Sequence, residues 1–461
     1  MYNRNFVPTP KHKMDKLFGT DGIRGVAGEF PLDARTIQIV GRSLATRMAA
    51  KLGRPARLVI GRDTRASGEW IEQAFCSGAS SAHAECNSAG VITTPGVAFV
   101  TRHFEFDAGI VISASHNPYE DNGIKIFAPS GKKIEEAAER LIEQDIRDAA
   151  DHPIEKISSR ADSFRVEEFQ KAYLDYLSGE FPSLSLKGKK IVVDCANGAS
   201  SDLAPELFGR FGAEIVAINN KPDGRNINKD CGSLHLDALQ NKVLEEKADL
   251  GVAFDGDADR SLFVDEHGDL VDGDATLWIL AQYFREHHQL ADHTVVATVM
   301  SNIGLELALA SNDIKLIRTS VGDKYVLDEL LRSGSSLGGE QSGHIIIPKK
   351  SLVGDGMMTA LLILEAMFEK IEPLSRLTTG FVRYPQTLVN VRVREKRPFE
   401  GVPEIASASK EIEGELDGSG RLLLRYSGTE NLARVMIEGK DQIVIEAQAK
   451  RLADVIRNSL G

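Results

Sequence analysis

KIVVDCANGASSDLAPELF, residues 190–208, is the stretch on which the fold turns. A β-branched apolar run, Ile191 to Val193, passes through a loop of small residues into a helical segment. The same order recurs in RLVIGRDTRASGEWIEQAF at 57–75 and in TVVATVMSNIGLELALA at 294–310. Each is followed by a second strand-like run: AGVITTP at 89–95, AEIVAIN at 213–219 and IKLIRTS at 314–320. Each then reaches a third run that ends in a polar loop: DAGIVISASHNP at 107–118, ADLGVAFDGDADR at 248–260 and SSLGGEQSGHI at 335–345. The units share an order of elements, with negligible identity between them.

Apolar strands alternating with helices imply α/β layers with largely buried sheets. Ligands sit beyond the carboxyl ends of such strands, so the three loops are candidates to line one shared cleft. The last part differs. FVRYPQTLVNVRV at 381–393 alternates like a strand, GRLLLRYSGTENLARVMIEG at 420–439 reads as strand–loop–strand, and IVIEAQAKRLADVIRNSL at 443–460 as a helix. The expected fold is three related mixed-sheet α/β domains, 1–167, 168–269 and 270–377, and a smaller C-terminal α+β domain, 378–461.

The 461 residues are 42% hydrophobic and 26% charged, an ordinary globular composition. A net charge of -12 without a Lys/Arg-rich block argues against nucleic acid. Cations for an anionic substrate must therefore be gathered locally. Cys76, Cys86, Cys195 and Cys231 form no C-x-x-C pair, which points to buried thiols in a reducing cytosol and away from a zinc or disulfide framework. The longest apolar run, MMTALLILEAMF at 357–368, falls short of the ~18 residues of a membrane span. The polar start MYNRNFVPTPKHK has no apolar core of a signal peptide, and Met14 could be an alternative start after a disordered extension over 1–13.

In DGDADR, Asp255, Asp257 and Asp259 alternate with small residues. Extended backbone would throw the three carboxylates to one side. Their mutual repulsion calls for a divalent cation, and all-oxygen ligands favour Mg²⁺ or Ca²⁺ over zinc. An EF-hand is ruled out, since Arg260 stands where the loop glycine belongs. A strand followed by D-x-D also opens aspartyl-phosphate phosphatases, with Asp255 as nucleophile.

SASHNP lacks the G-x-S-x-G elbow, and a lone serine is a weak nucleophile. A phosphate on Ser115 would instead complete the oxygen shell of a cation held by the aspartates. In RYSGTEN, Arg425, Ser427, Gly428 and Thr429 supply donors suited to a phosphate. In GEQSGH, Glu340 and Ser342 suit adjacent sugar hydroxyls.

Together these loops resemble the α-D-phosphohexomutase superfamily, whose four motif loops appear here in family order from about Lys16 onward. Within it the resemblance is strongest to the bacterial phosphoglucosamine mutases. It is carried by KLFGTDGIRG at 16–25, NINKDCGSLH at 226–235, TVMSNIG at 298–304, VGDKYV at 321–326 and Gln341. The resemblance implies four domains around a central cleft. It implies interconversion of glucosamine 6-phosphate and glucosamine 1-phosphate, towards UDP-N-acetylglucosamine and peptidoglycan precursors. Ser115 would be the phosphoserine. One Mg²⁺ would be bound by Asp255, Asp257, Asp259 and that phosphoserine, and a sugar 1,6-bisphosphate would act as activator. Arg260 and Arg24 would contact the transferring phosphate, with His116 and Lys125 beside it and Lys125 as proton shuttle. Glu340 and Ser342 would grip the sugar, and Arg425, Ser427, Gly428 and Thr429 the phosphate at rest. The implied setting is cytoplasmic, with a small-molecule sugar phosphate as partner, no nucleic acid, no membrane, and a homodimer left open. Phosphoglucomutase or phosphomannomutase activity, a sugar phosphatase and a silent sugar-phosphate binder are the alternatives. Asn431, Ala433 and the VGDGM stretch at 353–357 depart from the family pattern beside the ligand groups.

Overall fold

The computed structural model describes residues 16–148, 159–427 and 430–461. The extension expected over 1–13 lies outside these, as do Gly428 and Thr429. The chain divides into two compact units, residues 1–260 and 261–461.

In the first unit the apolar runs form strands where expected. Arg57–Arg62 pairs in parallel with Glu85–Val91 on one side and Ala108–Ile112 on the other. Antiparallel pairing then adds Asp121–Phe127, Gly22–Val26 and Phe18–Gly19, giving a mixed six-stranded sheet. Every residue of Ala108–Ile112 is buried, which is why that strand reads as an unbroken apolar run. Helix Ala34–Leu52 starts at Asp33, which accepts from the Thr36 N–H, and stops at Gly53 in the left-handed region. It packs against helix Gly68–Ser81 backbone to backbone. A Cβ on Gly78 would stand 1.9 Å from the Gln38 carbonyl oxygen, and one on Gly41 2.2 Å from that of Phe75. Ile37, Leu58, Ile60, Phe75, Ile110 and Ile124 are fully buried in this core, each worth roughly 1.5–3 kcal/mol of burial.

The parallel core repeats further along the same unit. Lys190–Asp194 lies between Glu214–Ile218 and Leu250–Phe254. Helices Leu203–Arg210 and Asp237–Glu246 follow the first two of these strands. In both sheets the conspicuous loop, SASHNP or DGDADR, leaves the carboxyl end of the third strand.

The second unit opens with an antiparallel hairpin, Ser261–Asp265 with Leu270–Val271, and helix Gly273–Glu286. Thr294–Thr298 then pairs in parallel with Lys315–Thr319 and Leu337–Gly339, and Ile345–Ile346 joins the latter antiparallel. MMTALLILEAMF lies in helix Gly356–Lys370, buried along most of its length. No helix among the described residues is long and apolar enough to cross a membrane. At the C-terminal end Leu432–Glu438 is the middle strand of three, flanked antiparallel by Gln386–Arg392 and Arg421–Tyr426. Helices Pro403–Leu416 and Gln442–Leu460 pack on it through Ile405, Ile412, Leu452 and Ile456. The strand expected from residue 381 begins only at Gln386, after Pro385, which has no N–H for a ladder.

Candidate active site

Within the first unit the serine loop and the aspartate loop meet. Strand Ala108–Ile112 ends, and Ser115 follows with φ 53, in the left-handed region. Its Oγ donates to Asp255 Oδ2 at 2.5 Å, and His116 Nδ1 lies 3.2 Å away. DGDADR is a turn, which corrects the extended backbone expected for it. The Ala258 N–H donates to the Asp255 carbonyl at 3.0 Å, and Ala258 has φ 53. The carboxylates converge because the chain wraps around them. One ligand oxygen from each of Asp255, Asp257 and Asp259 lies within 4.8 Å of the others, and all three residues are buried. Oδ1 of Asp257 is buried without a hydrogen-bond partner among the described residues. A buried all-oxygen cluster with an open carboxylate oxygen fits a hard divalent cation.

The three carboxylates are not left entirely to an ion. Lys125, on strand Asp121–Phe127, is 1% exposed, with Nζ 2.8 Å from Asp257, 3.4 Å from Asp259 and 3.1 Å from Asp21. Burial works to lower the Lys125 pKa, but these carboxylates outweigh it and hold the ammonium well above its ordinary value. Burial alone would raise Asp21, yet Lys125, Lys133 and Arg24 bring it well below the carboxylate range. Asp21 also pairs with Arg24, whose Nε is buried and has no hydrogen-bond partner among the described residues. Burial, then the charges of Arg260 and Arg24, push His116 down to about 4, so its ring is neutral at pH 7. Burial, then Asp259 and Asp257, push Asp255 well above the usual carboxylate value.

Two residues of this cluster carried no signal of a role in the sequence. Asp21 lies in KLFGTDGIRG, where nothing points towards a lysine about a hundred residues away. Thr94 donates from Oγ1 to Asp257 Oδ2 at 2.5 Å and from its N–H to the Asp257 carbonyl at 3.0 Å. It is delivered there by the start of helix Thr94–His103, capped by Thr93, with Pro95 at the opening.

Within the second unit, Glu340 leaves the end of strand Leu337–Gly339, and its Oε1 accepts from the Gly322 N–H at 3.0 Å. His344 Nε2 accepts from the Gly354 N–H at 3.1 Å. The VGDKYV, GEQSGH and VGDGM stretches are thereby held together, with Ser342 in the middle loop. Arg425 and Ser427 lie at the end of strand Arg421–Tyr426. Arg425 stands opposite Arg434 in the ladder, and burial, then the Arg434 charge, push its guanidinium below the ordinary value. Like charges paired directly across strands are unfavourable unless an anion joins them. Lys396 Nζ donates to the Ser427 carbonyl at 2.6 Å. This is a local gathering of cations in an acidic chain, and Arg434 and Lys396 were not picked out from the sequence.

Four family models match the chain in order. They are the phosphoglucomutase/phosphomannomutase alpha/beta/alpha domains I, II and III, at residues 15–152, 171–268 and 272–384, and the C-terminal domain at 388–455. The chain is 49% identical over 446 residues to a phosphoglucosamine mutase of Solibacter usitatus (strain Ellin6076), covering 96% of this chain and 99% of that protein. It is 47% identical to one from Caldicellulosiruptor saccharolyticus, covering 97% and 100%. Among solved structures, it matches a phosphoglucomutase/phosphomannomutase family protein from Burkholderia thailandensis with a TM-score of 0.79 at 23% identity, over 96% of this chain and 97% of that one. It also matches Aspergillus fumigatus N-acetylphosphoglucosamine mutase, solved with GlcNAc-6P and magnesium, with a TM-score of 0.67 at 20% identity over 96% of each chain.

Proposed function

The chain belongs to the phosphoglucomutase/phosphomannomutase family, and on that footing we propose that it is a phosphoglucosamine mutase, interconverting glucosamine 6-phosphate and glucosamine 1-phosphate. The observation that carries the chemistry is the 2.5 Å hydrogen bond from Ser115 Oγ to the aspartate cluster. A phosphoryl group on that oxygen would adjoin the carboxylates of Asp255, Asp257 and Asp259, which together with it would hold one Mg²⁺. When bound, Mg²⁺ supplies charge withdrawal from the phosphoryl group. Support for the amino sugar comes from full-length relatives of that name at 43–49% identity.

Phosphorylated Ser115 gives its group to the free hydroxyl of the bound monophosphate. The Oγ–P bond breaks as the sugar O–P bond forms, and a 1,6-bisphosphate results. It turns end for end and returns its other phosphate to Ser115. Arg24 and Arg260 contact the transferring group, and His116 stands beside Oγ. Lys125, resting as an ammonium, is the proton shuttle: it gives a proton to the serine oxygen as the Oγ–P bond breaks, and the amine this leaves takes the proton of the attacking hydroxyl. Glu340 and Ser342 hold sugar hydroxyls, while Arg425, Ser427, Gly428 and Thr429 hold the phosphate at rest. A sugar 1,6-bisphosphate primes an unphosphorylated chain, and the reaction belongs in the cytoplasm. Charge stabilisation and positioning do most of the work in such transfers.

The test is a product assay with purified protein, Mg²⁺ and a trace of sugar bisphosphate. Glucosamine, glucose and mannose 6-phosphates are offered separately, and 1-phosphates and free phosphate are scored. Glucosamine 1-phosphate without phosphate release is the expected result. Preference for glucose or mannose overturns the substrate and keeps the chemistry. Inorganic phosphate as main product moves the nucleophile from Ser115 to Asp255.

A further inference from the structure

We propose that Arg65 and Asn228 are positioning residues for Ser115, clamping the same two backbone carbonyls from two separate segments of the first unit. The inference rests on Ser115 being the phosphoryl carrier. Arg65 is 1% exposed. Its Nη2 donates to the carbonyls of Ser115 and Asn117, at 2.9 Å each. Nη1 donates to the Asp121 carbonyl at 3.0 Å and to that of Pro118, and Nε to Asp63 Oδ2 at 2.8 Å. All five N–H donors of the guanidinium fork are thus committed. Asn228, also buried, donates from Nδ2 to the Ser115 carbonyl at 2.9 Å and to the Asn117 carbonyl at 3.0 Å. Each carbonyl therefore receives one donor from each side chain.

The backbone N–H of Ser115 ends on the same ion pair. It donates to Ser113 Oγ at 2.9 Å, and that hydroxyl donates to Asp63 Oδ2 at 2.6 Å. Ser115 is a residue with a Cβ held at φ 53, an arrangement that persists only where its surroundings enforce it. With N–H and C=O both committed, the serine peptide cannot turn without stranding a buried charged donor. The aspartate loop rests on the same place, since a Cβ on Gly256 would stand 2.5 Å from the Ser115 oxygen and 3.0 Å from Asn228 Nδ2. The clamp thereby fixes Oγ against the carboxylates through two successive transfers, a step governed by alignment. It also gives a task to two stretches the proposed chemistry leaves idle, GRDTR at 61–65 and NINKDCGSLH at 226–235.

Arg65 variants risk misfolding, because Asp63 would be left buried and unpaired. Asn228 offers the cleaner test. Its own φ is 55, so Asn228→Gly keeps the backbone and removes only the amide. In the full chain, with glucosamine 6-phosphate, Mg²⁺ and bisphosphate, kcat should fall on the order of ten- to a hundredfold while KM stays within about twofold. Melting temperature should stay within about 2 °C. Wild-type kcat, or a loss of kcat that tracks a fall in melting temperature, overturns the proposal. Ser115→Ala, assayed alongside, separates the two readings. If it stays active, the carrier assignment itself fails; if it is dead while Asn228→Gly is unaffected, only the clamp fails.

Discussion

Removing the Ser115 hydroxyl deletes one atom that donates to Asp255 and leaves the backbone bonds of its loop in place. Ser115→Ala should therefore fold normally and bind glucosamine 6-phosphate with near wild-type affinity, while turnover disappears. Calorimetric binding together with a product assay checks this, and substantial surviving mutase activity would end the carrier assignment. Asp257 carries more connections. It offers an open Oδ1, and its Oδ2 takes bonds from Thr94 and Lys125. Asp257→Asn should weaken Mg²⁺ activation at least about tenfold and lower kcat with it, since a carboxylate ligand and a counter-charge go together. A Mg²⁺ titration unchanged from wild type would place the metal elsewhere. At this scale the sequence displays what is local. Three aspartates within five positions and a serine beyond a buried strand can be read directly. Asp21, Thr94, Arg65 and Asn228 act on residues far away in the chain, so no spacing rule could find them.

At the scale of elements, strands were legible because buried parallel strands must be apolar along their whole length. The turn of DGDADR was not, because alternating small residues suit a strand and a turn equally. Strand Asp121–Phe127 carries Lys125 opposite Val111, a register set by pairing and invisible in DNGIKIF. Helix Gly273–Glu286 shows a cost attached to one element. Asp272 caps it by accepting from the N–H groups of Asp274 and Ala275. Asp274 is fully buried, and its Oδ2 accepts from the Asn302 N–H at 2.7 Å. Burial, then the neighbouring charge of Asp272, push Asp274 up to about 7. Its pKa is higher folded than unfolded, so below about pH 4 it is neutral in both states and costs nothing. As pH rises towards 7 the unfolded chain releases its proton first, and stability falls by an upper bound of about 4 kcal/mol. Asp274→Asn should remove that slope. Its melting temperature relative to wild type should rise between pH 5 and pH 8, and parallel profiles would show that Asp274 is ionised throughout.

At the scale of the whole molecule, the recurrence of strand, helix and loop announced an array of α/β modules, and the four family matches follow it in order. The joins between modules stayed hidden, because a join is made by a few polar side chains whose partners lie in another module. In the second unit Asn302, within TVMSNIG, makes one. Its Nδ2 donates to the Tyr384 carbonyl at 3.0 Å and to Glu438 Oε1 at 3.2 Å, and its Oδ1 accepts from the N–H groups of Gly304 and Tyr384 at 2.9 Å. Glu438 is fully buried and pairs with Arg421 at 2.8 Å, and Arg421 donates to the Ser301 carbonyl at 3.1 Å. One amide thus links residues matched to domain III with a strand of the C-terminal domain. Asn302 is also the cap of helix Ile303–Ala310, a role an aspartate fills as well. Asn302→Asp therefore separates the two roles, keeping the acceptor and losing the donors while setting a second carboxylate against Glu438. An unmet buried group costs about 1–3 kcal/mol, so the melting transition should fall by roughly 2–12 °C in a unit of this size. Amide exchange in Gln386–Arg392 should quicken with it. If capping is all that Asn302 does, Asn302→Asp will melt like wild type and only Asn302→Ala will be destabilised.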